Sequence, residues 1–160
     1  MSGGSSDRQI DQRTSDDHSL NADMIGIPAL TDKASAGDGS IVWGNELRPS
    51  PVLWAADWLR QAFGSIDGLR MVQVSGDSQL PDLQDGDWAI IDTRRQRVEN
   101  GLAVILLDDC LMIKRLHREG HFLQLISRNP VYAPTAIDLT VDEERLRVIG
   151  KVVYVLKKPM

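Results

Sequence analysis

Residues 71–93, MVQVSGDSQLPDLQDGDWAIIDT, contain two apolar strands whose connection is too long for a simple hairpin. Alternating apolar residues lead into Gly76-Asp77-Ser78, and the second apolar run begins directly after Gly86-Asp87. Hairpin loops usually need two to five residues. The stretch therefore predicts a serine presented at the end of a strand, beside a glycine that lets other backbone approach closely.

The composition is typical of a soluble globular protein with one main domain. The 160 residues are 42% hydrophobic and 26% charged, with a net charge of −5 and a pI near 5.1. No apolar run is long enough to span a membrane, and the acidic balance argues against this chain binding nucleic acid by its own charge. Cys110 is the only cysteine, which excludes an intrachain disulfide and favours a reducing, cytoplasmic location.

Composition shifts divide the chain into three parts. Residues 1–23 contain no aromatic residue and few aliphatic ones, which predicts a disordered tail or linker. Residues 24–43 join a short apolar segment to a run of small residues and glycine that should be accessible and bendable. Residues 44–160 are expected to fold as one mostly-β domain with one helix.

The secondary-structure signals of that domain are turn residues and alternation. Ser50 and Pro51 predict the start of a helix, and Gly64 predicts its end. The pattern then predicts strands at 69–75, 87–92, 102–107, 111–116, 121–127 and 146–156. The closing strand is long and apolar, so it could pair with a second copy from a sheet edge or lie in the centre of the sheet.

A serine hydroxyl becomes a useful nucleophile only when a base takes its proton. His117 and His121 flank a polar turn and are explained more simply as a solvated hairpin end than as metal ligands. Lys114 shares a strand face with Met112 and Leu116, and burial there would favour the neutral amine that a base requires. The alternative is a lysine whose ammonium reaches solvent from a strand edge. The sequence leaves both open.

Several segments, in their order and spacing, resemble the LexA-like self-cleaving family (peptidase S24). VSGDSQLPDLQDGDWAIID resembles the serine motif of that family, and MIKRL resembles its lysine motif. LISRNPVYAP and LRVIGKVVYVL are similar to its later segments, and KASAGDG is similar to its cleavage-site region.

The resemblance implies roles for individual residues. Ser78 would be the nucleophile and Lys114 the general base of a Ser-Lys dyad. The backbone N–H groups of Asp77 and Ser78 would form the oxyanion site, and the bond Ala36–Gly37 would be cut, without cofactor or metal. Gln79 departs from the family pattern, which usually has methionine there. This change leaves the dyad intact and bears on how fast the chain is cut.

The resemblance also implies a biological role. We expect this chain to be the C-terminal domain of a phage- or prophage-type transcriptional repressor, and we expect it to form a homodimer. Self-cleavage, stimulated by the RecA filament on single-stranded DNA in the SOS response, would cause derepression. Operator DNA would be bound only through an N-terminal helix-turn-helix domain that this chain lacks. The alternatives are a UmuD-like mutagenesis protein, a dimerisation module that does not cleave, and a membrane signal peptidase, which the missing membrane anchor disfavours.

Overall fold

The structure is a computed structural model that describes residues 23–31, 34–35 and 47–160. The predicted scissile bond Ala36–Gly37 and the predicted tail before Asp23 lie outside the described residues. The elements are β1 (Met24–Gly26), β2 (Ala29–Leu30), β3 (Ala34–Ser35), β4 (Leu47–Arg48), β5 (Leu53–Ala55), α1 (Ala56–Phe63), β6 (Leu69–Ser75), β7 (Trp88–Asp92), β8 (Gly101–Leu107), β9 (Cys110–Glu119), β10 (Phe122–Ile126), β11 (Thr135–Asp138), a 3-10 turn (Glu143–Arg145) and β12 (Leu146–Leu156).

One large sheet contains most of these strands, in the order β11-β10-β9-β8-β12-β7-β6-β2-β4. Its pairs are antiparallel except where β2 and β3 run parallel to β6. Outside this sheet, β1 and β5 form a two-stranded antiparallel pair. The mostly-β fold with one helix that the sequence predicts is confirmed for the part of the chain that the structure describes.

The start of the helix was predicted wrongly. α1 begins at Ala56 rather than at Pro51, and Ser50 does not cap it. The residues between them form β5, whose backbone pairs with β1, with Leu53 opposite Gly26. This pairing engages backbone groups that the helix would otherwise use. The predicted end is confirmed, because Gly64 has a φ of 77° and donates its N–H to a carbonyl of the last helical turn.

The closing strand β12 lies in the centre of the sheet. Its first half, from Leu146 to Lys151, pairs with β8, and its second half, from Lys151 to Leu156, pairs with β7. Among the described strands, β11 and β4 hold the two outer positions of the sheet. The possibility that β12 is an edge strand, which the sequence left open, is therefore excluded.

Alternation along β9 packs its two faces against different clusters of the core. Leu111 and Ile113 are buried in one apolar cluster, whereas Leu116 is buried in a second, against which Met112 also packs. Strand side chains at every second residue share a face, so Lys114 lies on the side of Met112 and Leu116. β9 thus holds this lysine at the boundary of a well-packed core.

Candidate active site

The serine turn begins where β6 ends. Gly76 has a φ of 85°, a backbone conformation that glycine adopts readily, and its N–H donates to the side chain of Asp85 at 3.0 Å. Ser78 follows two residues later and is only 2% exposed. Ser78 therefore occupies a sharp, internally bonded turn rather than a loose loop.

The far end of the turn is anchored by a buried carboxylate. Asp87 accepts hydrogen bonds from the backbone N–H groups of Gln84 and Lys158 and from the ammonium group of Lys157. Burial alone would raise the pKa of Asp87, but these hydrogen bonds outweigh it and lower that pKa below its ordinary value. The connection is thus fixed at both ends, which gives Ser78 a defined position.

Lys114 is half-buried on β9. Its ammonium group donates to the hydroxyl of Ser127 at 2.8 Å, and among the described residues it makes no hydrogen bond to Ser78. Burial lowers the pKa of Lys114, an effect that the nearby Cys110 partly opposes. The lysine is therefore neither fully enclosed nor an exposed edge residue, and its neutral form is more accessible than that of an ordinary lysine.

Gln79 joins the serine turn to the strand of the lysine. Its side chain is 3% exposed and donates its amide N–H to the backbone carbonyl of Ile113 at 3.1 Å. Pairing between β10 and β9 reaches only to Arg115, so this carbonyl lies beyond the end of that ladder. The departure from methionine thus adds a direct hydrogen bond between the turn of Ser78 and the residue before Lys114, which sequence reasoning did not find.

A second contact to the serine turn comes from the loop after β10. The backbone N–H of Asn129 donates to the carbonyl of Ser78 at 2.9 Å, and its side chain donates to the carbonyl of Asp77 at 3.2 Å. Both carbonyls of the serine turn therefore accept hydrogen bonds from Asn129. Within the described parts of the chain, the N–H groups of Asp77 and Ser78 donate to no other residue, which leaves them available to a developing oxyanion.

The segment that precedes the predicted scissile bond lies beside the same turn. β3 runs parallel to β6, with Ala34 opposite Val74 and Ser35 opposite Ser75, and its backbone also lies close to β9. Ser35 is the last described residue before Ala36, and it is level with the residue three positions before Ser78. β3 thus lies beside β6, which leads into the serine turn, and beside β9, which contains the lysine.

The remaining candidate residues are two histidines near the turn between β9 and β10. His117 and His121 are exposed, and His117 contacts Glu119 at 3.1 Å. The described residues include no cluster of side chains suited to a metal ion. In the portions of the chain that the structure describes, no helix has the length and apolar character needed to cross a membrane.

A buried hydroxyl, an amine of lowered pKa and backbone N–H donors are the kinds of group that an acyl-transfer site uses. Comparison with known proteins agrees, because the model of the family described as Peptidase S24-like matches residues 28–153. The chain belongs to the peptidase S24-like family. The matched range includes all of the candidate site residues.

Curated relatives of the S24-like domain are repressors by name. The LexA repressor of Bifidobacterium longum (strain DJO10A) is 32% identical over 91 residues, which cover 56% of this chain and 35% of that protein. The LexA repressor of Acidothermus cellulolyticus is 29% identical over 143 residues, which cover 86% of this chain and 46% of that protein. The chain spans less than half the length of these relatives.

Proposed function

We propose that this S24-like domain is the C-terminal part of a LexA-like transcriptional repressor and cuts its own chain between Ala36 and Gly37. The observation that carries the proposal is the parallel pairing of β3 with the end of β6. This pairing directs the chain before Ala36 toward the turn that contains Ser78. A substrate segment held in this way is already part of the molecule, and such tethered groups can reach effective concentrations of about 10^5 M.

The proposed chemistry uses the groups of the candidate site. In the proposed reaction, neutral Lys114 takes the proton of the Ser78 hydroxyl, and the oxygen attacks the carbonyl carbon of Ala36. The backbone N–H groups of Asp77 and Ser78 stabilise the oxyanion. The C–N bond then breaks, and the amino group of Gly37 leaves with the proton from Lys114. Water attacks the ester, again with Lys114 as base, and releases the free serine.

A restraint on this reaction is also part of the proposal. The ammonium form of Lys114 cannot accept a proton, and its hydrogen bond to Ser127 directs it to a group other than Ser78. We therefore propose two states, of which the reactive one has a neutral lysine and a docked 31–43 segment. If about 1% of molecules are in the reactive state, cleavage is about a hundredfold slower than it would be if all of them were. A partner that binds the reactive state more tightly restores the rate.

The RecA filament on single-stranded DNA is the proposed partner that favours the reactive state. In this account a helix-turn-helix domain outside this chain binds the operator, the domain described here dimerises, and cleavage separates the two and relieves repression. The phage or prophage type of repressor is the form we propose. The names of the curated relatives support the repressor role in general.

Substitution of the dyad tests the proposal. The purified chain, Ser78→Ala and Lys114→Ala are incubated side by side with and without the RecA filament, and fragments are resolved by gel electrophoresis. We expect cleavage of the parent alone and a faster reaction with the filament. Cleavage that persists in Ser78→Ala would disprove the assigned nucleophile.

One observation favours a second function, that of a dimerisation module in either a repressor or a UmuD-like mutagenesis protein. Aromatic rings of Trp54, Trp58, Phe63 and Tyr154 contact one another, yet Trp58 remains 40% exposed and Tyr154 39% exposed. Exposed aromatic clusters are common at protein interfaces. A chain that sediments as a dimer but never cuts itself, even with the filament, would favour this second function.

A further inference from the structure

Tyr132 contacts the proposed base and the residue before the proposed nucleophile, and neither the dyad nor the oxyanion site includes it. Its hydroxyl donates to the carboxylate of Asp77 at 2.5 Å. The ammonium nitrogen of Lys114 lies 5.9 Å from the centroid of its ring. A single side chain, 36% exposed, thus reaches the residue before the nucleophile and the base itself.

The loop that contains Tyr132 is already tied to the same two groups. Ser127 accepts the hydrogen bond of Lys114, and Asn129 holds the carbonyls of Asp77 and Ser78. Tyr132 closes the loop, because its backbone N–H donates to the carbonyl of Asn129 at 3.2 Å. The backbone of Tyr132 is therefore fixed within the loop.

The two ends of Tyr132 act on different properties of the site. A hydrogen bond to a carboxylate is stronger than one between neutral groups, so the hydroxyl restrains the turn of Ser78 through Asp77. The face of an aromatic ring attracts a cation but not a neutral amine, so the ring favours the charged form of Lys114. The first effect assists cleavage, and the second restrains it.

We propose that Tyr132 is a positioning residue for self-cleavage, whose hydroxyl holds the turn that presents Ser78 and whose ring steadies the ammonium form of Lys114. The effect of Tyr132 on the cleavage rate rests on the proposed function. The effect of Tyr132 on the protonation of Lys114 rests only on the contact with the ring, and it can be measured in a chain that does not cleave.

Two substitutions separate the two ends of the side chain. Tyr132→Phe keeps the ring and removes the hydroxyl, whereas Tyr132→Leu removes both. The rate of self-cleavage is followed against pH for the parent and both variants. Tyr154→Phe is the matched control, since it removes the hydroxyl of a similarly exposed tyrosine that lies among the aromatic rings instead.

The cleavage profiles have distinct expected shapes. Tyr132→Phe is expected to lower the plateau rate at high pH by about three- to tenfold, the effect of losing one hydrogen bond of ordinary strength, because this bond is exposed to solvent. Tyr132→Leu is expected to share this lower plateau and to reach it with a midpoint roughly half a pH unit below that of Tyr132→Phe. A plateau of Tyr132→Phe equal to that of the parent would overturn the role of the hydroxyl.

The lysine is titrated directly in a second experiment, in a Ser78→Ala background with 13C-labelled lysine followed by NMR. Among the described residues, the groups that face Lys114 are the Cys110 thiol on its own strand, the Ser127 hydroxyl and Tyr132. Cys110→Ser is added because a thiol ionises in the same pH range. The midpoint of Lys114 is expected to be lower with leucine than with phenylalanine at position 132.

The outcomes separate the two hypotheses. Equal lysine midpoints in the leucine and phenylalanine variants would overturn the role of the ring, whether or not the chain cleaves. A parent that never cleaves, combined with the expected shift of the Lys114 midpoint, would overturn the proposed function and the role of Tyr132 in rate, but not its contact with the lysine. Thermal unfolding of each variant establishes that it is folded before either measurement.

Discussion

Replacing Gln79 tests whether the hydrogen bond between the serine turn and β9 stabilises the domain. Gln79→Glu keeps the shape of the side chain but, when ionised, removes its only hydrogen-bond donor and aims a carboxylate at the carbonyl of Ile113. The site is 3% exposed, so burial should raise the pKa of the new carboxyl group well above its ordinary 4.3. A folded-state pKa that is two units higher corresponds to a loss of about 2.7 kcal/mol in the free energy of unfolding at pH 7.

The sign of the pH dependence follows from the direction of that shift. Below the unfolded pKa, both states are protonated, and the carboxyl group can donate its proton to the carbonyl of Ile113. The stability of Gln79→Glu relative to the parent is then largely recovered. As the pH rises through the unfolded pKa toward the folded one, the unfolded state loses its proton first and the relative stability falls.

Urea unfolding at pH 4.5 and pH 7 measures this difference, in a Ser78→Ala background so that cleavage does not interfere. Gln61→Glu is the matched control, because Gln61 lies exposed on α1. Gln79→Met should cost about 1 kcal/mol, since it leaves the carbonyl of Ile113 without this donor, and that cost should not change between the two pH values. A Gln79→Glu variant that matches Gln61→Glu at both pH values would refute the reasoning.

Three further predictions concern stability. Asp87→Asn should lower the free energy of unfolding at pH 7 by about 1.5–3 kcal/mol, because it weakens hydrogen bonds that include the one from Lys157. Since the pKa of Asp87 is lowered on folding, this loss of stability should shrink below about pH 4 in urea titrations, and a loss that stays constant would contradict the prediction. Lys114→Met should be more stable than the parent at pH 7, because the lowered pKa of Lys114 means that the folded parent binds the proton less tightly than the unfolded parent. This gain in stability should vanish as the pH approaches about 10.5, and a loss of stability at pH 7 would argue against burial of the amine. Gly150→Ala should lower the free energy of unfolding by about 1–3 kcal/mol, because the Cβ of the alanine would lie 2.9 Å from the backbone carbonyl oxygen of Asp92. An unchanged melting temperature would show that the two strands can move apart.

Much of the fold could be predicted because the signals are local. Alternation from Leu69 to Ser75 and the turn at Gly64 depend on neighbouring residues, and both predictions agree with the structure. The start of α1 could not be predicted in this way. The pairing of Leu53 with Gly26 joins residues far apart in sequence, and such contacts override the preference of Ser50 and Pro51 for a helix start.

The candidate site shows the same division. Ser78 and Lys114 could be proposed from motif and strand alternation, which identify residue types and faces. The partners Gln79, Ser127 and Tyr132 could not, because their roles arise from the distance between three separate elements. The signals in the sequence were an unusual glutamine and a serine-to-tyrosine segment without an assigned role, and neither indicates which atom is contacted.

In the proposed reaction the chain cuts itself between Ala36 and Gly37, with Ser78 as nucleophile and a neutral Lys114 as base. Intact mass spectrometry of the purified chain, incubated over a range of pH values, tests it most directly. We expect two fragments, residues 1–36 and 37–160, that are absent from Ser78→Ala. Their rate of formation should rise about tenfold per pH unit below the pKa of Lys114. A chain that stays intact at every pH, even with the RecA filament present, or fragments that end at another bond, would contradict it.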